Sequence, residues 1–176
     1  AALAAIERHR VTHAQFVPTH FVRMLRLPRA DRQAHELGSL QKVIHAAAPC
    51  PVPVKRQMID WLGPIVDEYY GGSEAVGVCL ISAEEWLEHP GSVGRSMLGA
   101  VHILDENGAE VPPGETGQVW FEASTRFEYN NDPDKTRSAF NDRGWATYGD
   151  VGHLDEDGFV YLTDRASNMI ISGGVN

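Results

Sequence analysis

Short apolar runs alternate with helical patterns along the first 70 residues, and few folds accommodate this order of elements. We predict strands over 11–18, 40–46 and 65–70, and helices over 19–27 and 53–62. Helices that separate successive strands predict βαβ units, whose strands pair in parallel. The first half of the chain is therefore expected to form an α/β layer.

The second half contains short strands joined by turn sequences instead. Val101–Leu104 runs into the turn Asp105–Gly108, and residues 151–162 repeat this strand and turn. Asn-Gly and Asp-Gly pairs tolerate the positive φ angles that tight hairpins need. With a further strand over 117–123, residues 93–165 are expected to form a small antiparallel sheet or barrel.

The charge of the chain is negative and unevenly distributed. The net charge is −9, which argues against a phosphate-backbone binder, so nucleic acid is not expected as a partner. Residues 1–66 carry a net +5 and residues 67–176 a net −14. This break predicts two structural units that meet near residue 67.

Cysteine content and the chain ends indicate the setting of the protein. Cys50 and Cys79 form no CxxC pair, and the eight histidines show no metal-ligand spacing, so we expect a reducing compartment and no zinc site. No run of about 18 apolar residues and no signal-peptide pattern is present, so a membrane span is not predicted. Because the sequence opens without methionine, inside a helical pattern, we expect a piece of a longer protein.

The stretch Asp67–Ala75 carries the clearest chemical signal. It ends a predicted parallel strand, where open α/β sheets bind their ligands. Its glycines allow close approach to the backbone, Ser73 offers a hydroxyl to a phosphate oxygen, and Glu74 is a hard ligand for Mg²⁺. Tyr70 offers a ring for stacking. The alternative is a glycine turn between half-buried tyrosines; a serine-hydrolase elbow is disfavoured because Ala75 replaces its last glycine.

Three other positions each allow a functional and a structural interpretation. The carboxylate of Asp150 suits a ribose diol, or the backbone N–H groups of a turn. Arg165 suits a phosphate or a sugar hydroxyl, or an ion pair at the surface. The small residues Ala46–Ala48 leave room for a flat ring, or allow strand and helix to pack closely. Residue type alone leaves these alternatives open.

Taken in order, these stretches resemble the adenylate-forming superfamily, and within it the AMP-forming acyl-CoA synthetases such as the fatty-acid–CoA ligases. Tyr70–Glu74 is similar to the YGxTE element, with Ser73 in place of threonine. Further similarities are Gly114–Val119 to GExGEI, Tyr129–Thr136 to GYxxxPExT, Tyr148–Asp150 to YxTGD, and Asp164–Gly174 to the GRxDDxIKxxG hinge. The resemblance extends from about residue 11 to the last residue.

The resemblance implies an acetyl-CoA synthetase-like fold and an internal fragment of the large N-terminal domain. An α/β subdomain would occupy residues 1–92, and a small distorted antiparallel β-barrel residues 93–166. The hinge, at Ser167, and the start of a C-terminal domain would occupy residues 167–176.

The resemblance also implies roles for individual residues. The nucleotide would be bound by Ala47, Ala48, Tyr69, Tyr70, Gly71, Ser73, Asp150 and Arg165. Ala47 and Ala48 would lie along the adenine and Tyr70 on its face. Asp150 would hold the ribose hydroxyls, and Arg165 would contact ribose and phosphate.

The catalytic and acid-binding residues follow from the same resemblance. Ser73 would touch the α-phosphate and Glu74 would hold Mg²⁺, and both are expected to be catalytic. Gly71, Gly77 and Val78 would border the pocket for the carboxylic acid.

The activity that the resemblance implies consumes ATP, a carboxylic acid and coenzyme A. The acid attacks the α-phosphate to give acyl-AMP, and the thiol of coenzyme A then takes the acyl group, in the cytoplasm. Family members also use a phosphate loop and a C-terminal lysine, which these 176 residues lack, so we expect the fragment alone to be inactive.

Two other functions stay open. An amino-acid adenylation domain of a peptide synthetase usually has Asn two residues before the Tyr of YGxTE, where this chain has Glu68. A non-catalytic nucleotide-binding relative would have no need of Ser73, Glu74, Asp150 and Arg165 together. The acid and the oligomeric state are not indicated by the sequence.

Overall fold

A computed structural model of the chain describes residues 1–122 and 126–165, with residues 164 and 165 described by their backbone alone. The helices are α1 (Ala2–His9), α2 (Pro18–Leu25), α3 (Arg29–Gln33), α4 (Val52–Leu62), α5 (Ala83–Glu88) and α6 (Pro133–Ser138). The strands are β1 (His13–Phe16), β2 (Lys42–His45), β3 (Val66–Gly71), β4 (Val78–Ile81), β5 (Arg95–Ser96), β6 (Val101–Leu104), β7 (Gly117–Phe121), β8 (Asp150–Leu154) and β9 (Val160–Arg165). Within these ranges no helix is long and apolar enough to cross a membrane.

The strands lie in two sheets, of order β1-β2-β3-β4-β5 and β6-β7-β8-β9. Strands β1, β2 and β3 pair in parallel, which confirms the predicted α/β layer. By contacts the described residues divide into two units, one with residues 1–69 and 81–91, the other with residues 70–80 and 92–165.

Local sequence explains how the helices of the first unit begin and end. Helix α4 has proline in its first turn and stops at Gly63, whose φ of 85° suits glycine. Helix α2 begins at Pro18, one residue before its predicted start, with Val17 as its N-cap residue. Helix α5 was not predicted, although Ser82 and Glu85 form a capping box at its start.

A cluster of polar side chains is buried inside the first unit. Lys55 Nζ donates to Glu68 Oε2 at 2.6 Å, and His45 Nε2 lies 3.3 Å from the same oxygen. Lys55 and His45 are both 0% exposed. Within the described residues neither ring nitrogen of His45 makes a hydrogen bond.

Burial sets the protonation of this cluster. Desolvation, with a smaller contribution from the Lys55 charge, lowers the pKa of His45 to about 3. Burial also raises the pKa of Glu68 and lowers that of Lys55, while their mutual attraction opposes both shifts. His45 is therefore a neutral imidazole in the folded chain at neutral pH.

In the second unit the described strands β6–β9 form an antiparallel sheet, which confirms the antiparallel arrangement predicted for this region; of the predicted sheet or barrel, the described residues form the sheet. No ladder joins β6 to β9 within the described residues. Each edge strand instead makes a bridge to a short segment, β6 through Leu104 with Glu110 and β9 through Val160 with Gly94. Each bridge thus pairs one residue of an edge strand.

The core of the second unit draws on both of its segments. Its buried members are Val76, Cys79, Val93, Ile103, Val119, Phe121, Ala146 and Val160. A bulge at Val151/Gly152 interrupts the pairing of β8 with β9. A Cβ at Gly152 would lie 2.2 Å from the carbonyl oxygen of Tyr161, so the two strands approach too closely there for any side chain.

We predict that Gly152→Ala lowers the free energy of unfolding by about 1–3 kcal/mol, because the methyl group would meet a backbone oxygen that cannot rotate away. Chemical unfolding measures the change. Gly38→Ala is the matched control, since its nearest described atom would be 3.9 Å away. Equal stability of the two variants would contradict the close approach of β8 and β9.

We also predict that buried, neutral His45 makes the folded chain less stable as the pH falls. Since its pKa of about 3 in the folded state lies below the unfolded value near 6.5, its stabilising contribution is complete above about pH 6.5 and is lost as the pH falls toward 3. The stability of the wild type should fall more steeply between pH 6.5 and 4.5 than that of His45→Gln, by up to about 1.4 kcal/mol per pH unit.

Urea unfolding across this pH range measures the two slopes. His9→Gln, at an exposed position of α1, is the control and should keep the wild-type slope. The comparison isolates His45 because Glu68, whose raised pKa acts in the opposite direction, is present in all three proteins. Identical slopes for wild type and His45→Gln would contradict the assignment.

Candidate functional site

The segment between β3 and β4 holds the predicted phosphate and metal residues. It follows Gly71, turns through a hydrogen bond from Ala75 N to Gly72 O at 3.1 Å, and enters β4 at Val78. Ala75 has a φ of 55°, in the left-handed region. The backbone thus reverses over a few residues and presents Ser73 on an exposed turn.

The phenol of Tyr148 fixes this turn. Its hydroxyl accepts hydrogen bonds from Val76 N at 3.1 Å and Gly77 N at 3.2 Å, and donates to Gly77 O at 2.9 Å. Three backbone groups that lie in no strand ladder are satisfied by one side chain. Tyr148 was not singled out from sequence, although it opens the Tyr-Gly-Asp stretch.

Aromatic rings explain two of the glycines in the turn. A Cβ at Gly72 would lie 2.5 Å from Tyr148 Cε1, and one at Gly77 would lie 2.0 Å from Phe121 Cδ1. The rings of Tyr148 and Phe121 pack edge to face, with centroids 5.6 Å apart. Gly77, predicted to border the acid pocket, is therefore also required for packing against Phe121.

Ser73 and Glu74 lie side by side on the turn. Ser73 Oγ is 3.4 Å from Glu74 Oε2, a long contact, while the Tyr129 hydroxyl donates to Glu74 Oε1 at 2.8 Å. Burial, reinforced by this hydrogen bond, raises the pKa of Tyr129 to about 12, so the phenol is a donor at neutral pH. Tyr129 lies in the stretch compared with GYxxxPExT, which was the only signal for it in the sequence.

Asp150, which is buried, and Tyr70, which is half-buried, form a hydrogen-bonded pair. The Tyr70 hydroxyl donates to Asp150 Oδ2 at 2.5 Å, and Asp150 is 4% exposed. Burial, followed by the Asp150 charge, raises the pKa of the phenol, so Tyr70 stays protonated. The structure thus brings together two predicted nucleotide residues that are 80 positions apart in the sequence.

The structure describes the remaining predicted residues in unequal detail. Arg165 is opposite Asp150 in the β8–β9 register, so the backbones of the two residues are neighbours. Ser167 lies outside the described residues. Gly71 is exposed and Val78 half-buried at the two ends of the turn. Their predicted roles toward substrate stay predictions.

Three predicted nucleotide residues belong to the first unit. Ala47 is exposed with a φ of 71°, and Ala48 is half-buried. The Tyr69 hydroxyl accepts a hydrogen bond from Gln15 Nε2 at 3.0 Å. The two alanines lie two and three residues beyond the end of β2, at the carboxyl end of a parallel strand.

A magnesium ion is compatible with Glu74. Within residues 1–122 and 126–165 no cluster of three His, Cys, Asp or Glu side chains could hold a metal ion by itself. Mg²⁺ bound with a nucleotide needs only one or two carboxylates, because phosphates and water supply its other ligands. Glu74, with Ser73 beside it, fits a site in which the nucleotide supplies most of the ligands of Mg²⁺. It does not fit a site built from protein ligands alone.

Comparison with known proteins identifies the family. The model of the AMP-binding enzyme family matches residues 1–128. The chain is 36% identical, over 99% of its length, to a medium/long-chain-fatty-acid–CoA ligase, FadD8 of Mycobacterium tuberculosis, and covers 31% of that protein. It thus spans about a third of the relative's length.

Two solved structures superpose on nearly the whole of this chain. The amide bond synthetase McbA from Marinactinospora thermotolerans superposes with a TM-score of 0.87 at 31% identity, over 99% of this chain and 36% of that one. ATP-bound MatB from Rhodopseudomonas palustris superposes with a TM-score of 0.79 at 29% identity, over 98% of this chain and 34% of that one. The chain belongs to the AMP-binding enzyme family, which confirms the resemblance to adenylate-forming enzymes drawn from its motifs.

Proposed function

We propose that the protein carrying this sequence is an AMP-forming acid–thiol ligase, which activates a carboxylic acid with ATP and transfers the acyl group to coenzyme A. The observation that carries the proposal is the Gly72–Gly77 turn. In a chain of the AMP-binding family, this turn presents Ser73 and Glu74 while Tyr148 holds its backbone.

The first step joins two negatively charged reactants. A carboxylate oxygen of the acid attacks the α-phosphorus of ATP, the bond to pyrophosphate breaks, and acyl-AMP forms. A magnesium ion at Glu74 would neutralise charge on the phosphates. Ser73 Oγ would donate to an α-phosphate oxygen, where charge develops in the transition state.

The second step transfers the acyl group. The sulfur of coenzyme A attacks the acyl carbon, AMP leaves, and the thiol proton goes to solvent or a base. The reaction needs no redox partner. The two described cysteines, Cys50 and Cys79, form no disulfide. We propose a cytoplasmic setting, where thiols stay reduced.

The proposed nucleotide site assigns one part of AMP to each residue. Ala47 and Ala48 lie along the adenine, and Tyr69 is a further nucleotide-binding residue of the proposed site. Tyr70 packs on the ring, and its hydrogen bond to Asp150 keeps both side chains in one orientation. Asp150 and Arg165 bind the ribose, and Gly71, Gly77 and Val78 border the acid.

We propose a fatty acid as the substrate and coenzyme A as the acceptor. The similarity to FadD8, named as a fatty-acid–CoA ligase, supports both. The similarity to McbA, named as an amide bond synthetase, favours the same adenylation step with an amine as the acceptor. Both acceptors share the acyl-AMP step, so the test separates them afterwards.

We predict that the complete protein catalyses acid-dependent exchange of pyrophosphate into ATP and forms acyl-CoA with medium- or long-chain fatty acids. Exchange measured over a panel of fatty, aromatic and amino acids identifies the acid. Product analysis with coenzyme A or an amine then identifies the acceptor. If none of the acids in the panel supports exchange, the proposed ligase activity is contradicted.

We predict that Asp150→Ala lowers kcat/KM for ATP about a hundredfold, since losing charge-assisted hydrogen bonds to the ribose costs about 3 kcal/mol. The wild type should prefer ATP over 2′-deoxy-ATP, and the variant should lose this preference. The second readout separates ribose recognition from a general loss of folding.

Asp142→Ala is the control for this experiment, because Asp142 is an exposed carboxylate in the same unit. It should keep both the rate and the preference for ATP. A change below about threefold in Asp150→Ala, with the preference for ATP retained, would remove Asp150 from the proposed site.

A further inference from the structure

We propose that Tyr129 is a positioning residue for the metal site: its hydroxyl holds one oxygen of Glu74, so that the other oxygen points to the magnesium ion of the bound nucleotide. This inference rests on the proposed function and adds to it a residue from a segment 55 positions away in the sequence.

The two oxygens of Glu74 have different surroundings. Oε1 accepts a hydrogen bond from the Tyr129 hydroxyl at 2.8 Å, a distance typical of O–H···O hydrogen bonds. Oε2 has only the 3.4 Å contact with Ser73 Oγ among the hydrogen bonds of the described residues. A carboxylate with one oxygen fixed by the protein has the other available for a cation.

The phenol that fixes Glu74 is itself fixed. Tyr129 N donates to Thr136 Oγ1 at 2.9 Å, and that hydroxyl donates to the Asp132 carbonyl at 2.8 Å. Lys135 Nζ lies 4.0 Å from the centre of the Tyr129 ring. The ring of Phe127 packs on it edge to face at 5.2 Å. These contacts hold the backbone and the ring but leave the hydroxyl for Glu74.

The hydroxyl is not needed to build the turn that carries Glu74. Tyr148 already makes three hydrogen bonds to the backbone of that turn. A glutamate side chain has three rotatable bonds, so its carboxylate stays unoriented on a fixed backbone unless something binds it. Tyr129 therefore acts on the carboxylate rather than on the fold of the turn.

The test is Tyr129→Phe in the complete protein, because this change keeps the ring contacts and removes the hydroxyl alone. Outer groups that orient a metal ligand typically contribute about 10–100-fold in metal affinity. We expect the magnesium concentration for half-maximal exchange to rise by about that factor, and high magnesium to restore the rate.

Direct binding gives a readout independent of turnover. Titration of Mn²⁺ with a non-hydrolysable ATP analogue, followed by the electron paramagnetic resonance of free Mn²⁺, should show a similar loss in Tyr129→Phe. Tyr161→Phe is the matched control, since the Tyr161 hydroxyl also donates to a carboxylate, Asp155, at 3.2 Å. It should keep wild-type Mn²⁺ binding and magnesium dependence.

Glu74→Gln separates the possible failures. Wild-type Mn²⁺ binding and magnesium dependence in Tyr129→Phe, with both impaired in Glu74→Gln, would overturn the role of Tyr129 and leave the proposed ligase intact. Unimpaired metal binding in Glu74→Gln would overturn the metal role of Glu74 and this inference with it. Absence of exchange in the wild type would contradict the ligase, while Mn²⁺ binding would still decide the role of Tyr129.

Discussion

The hydroxyl of Tyr148 is the contact on which the geometry of the candidate site depends. The Gly72–Gly77 turn has little regular hydrogen bonding of its own, and the phenol binds its backbone at three points. Ser73 and Glu74 need a fixed backbone to present a hydroxyl and a carboxylate together. One aromatic side chain supplies that rigidity and at the same time packs into the core of its unit.

Tyrosine hydroxyls orient two carboxylates of the second unit. Tyr70 donates to Asp150, and Tyr129 donates to Glu74. A neutral donor of this kind orients a carboxylate without cancelling its charge, so the carboxylate keeps its attraction for a cation or a sugar hydroxyl. The first unit uses the opposite arrangement, because Lys55 neutralises the buried Glu68.

The parallel strands and the glycine-rich turn were predictable because they depend on local signals. Apolar runs, Pro18 and Gly63 mark the element boundaries, and the YGxTE-like stretch marks the turn. Tyr148 and Tyr129 were not identified, because their partners lie 71 and 55 residues away in sequence, beyond the reach of any periodic pattern. For the second unit the sequence predicted an antiparallel sheet or barrel, and it left the two open because closure depends on which strands meet at the edges of the sheet.

The contact between Gly72 and the Tyr148 ring ties two distant positions of the chain to each other. With a Cβ at residue 72 only 2.5 Å from Cε1 of that ring, the space can hold either a side chain on the turn or a phenol beneath it. Homologues with a larger residue at position 72 should therefore carry a smaller one at position 148. The two sites are expected to coevolve as a size-compensating pair, and grafting either residue alone into a relative should disturb the turn.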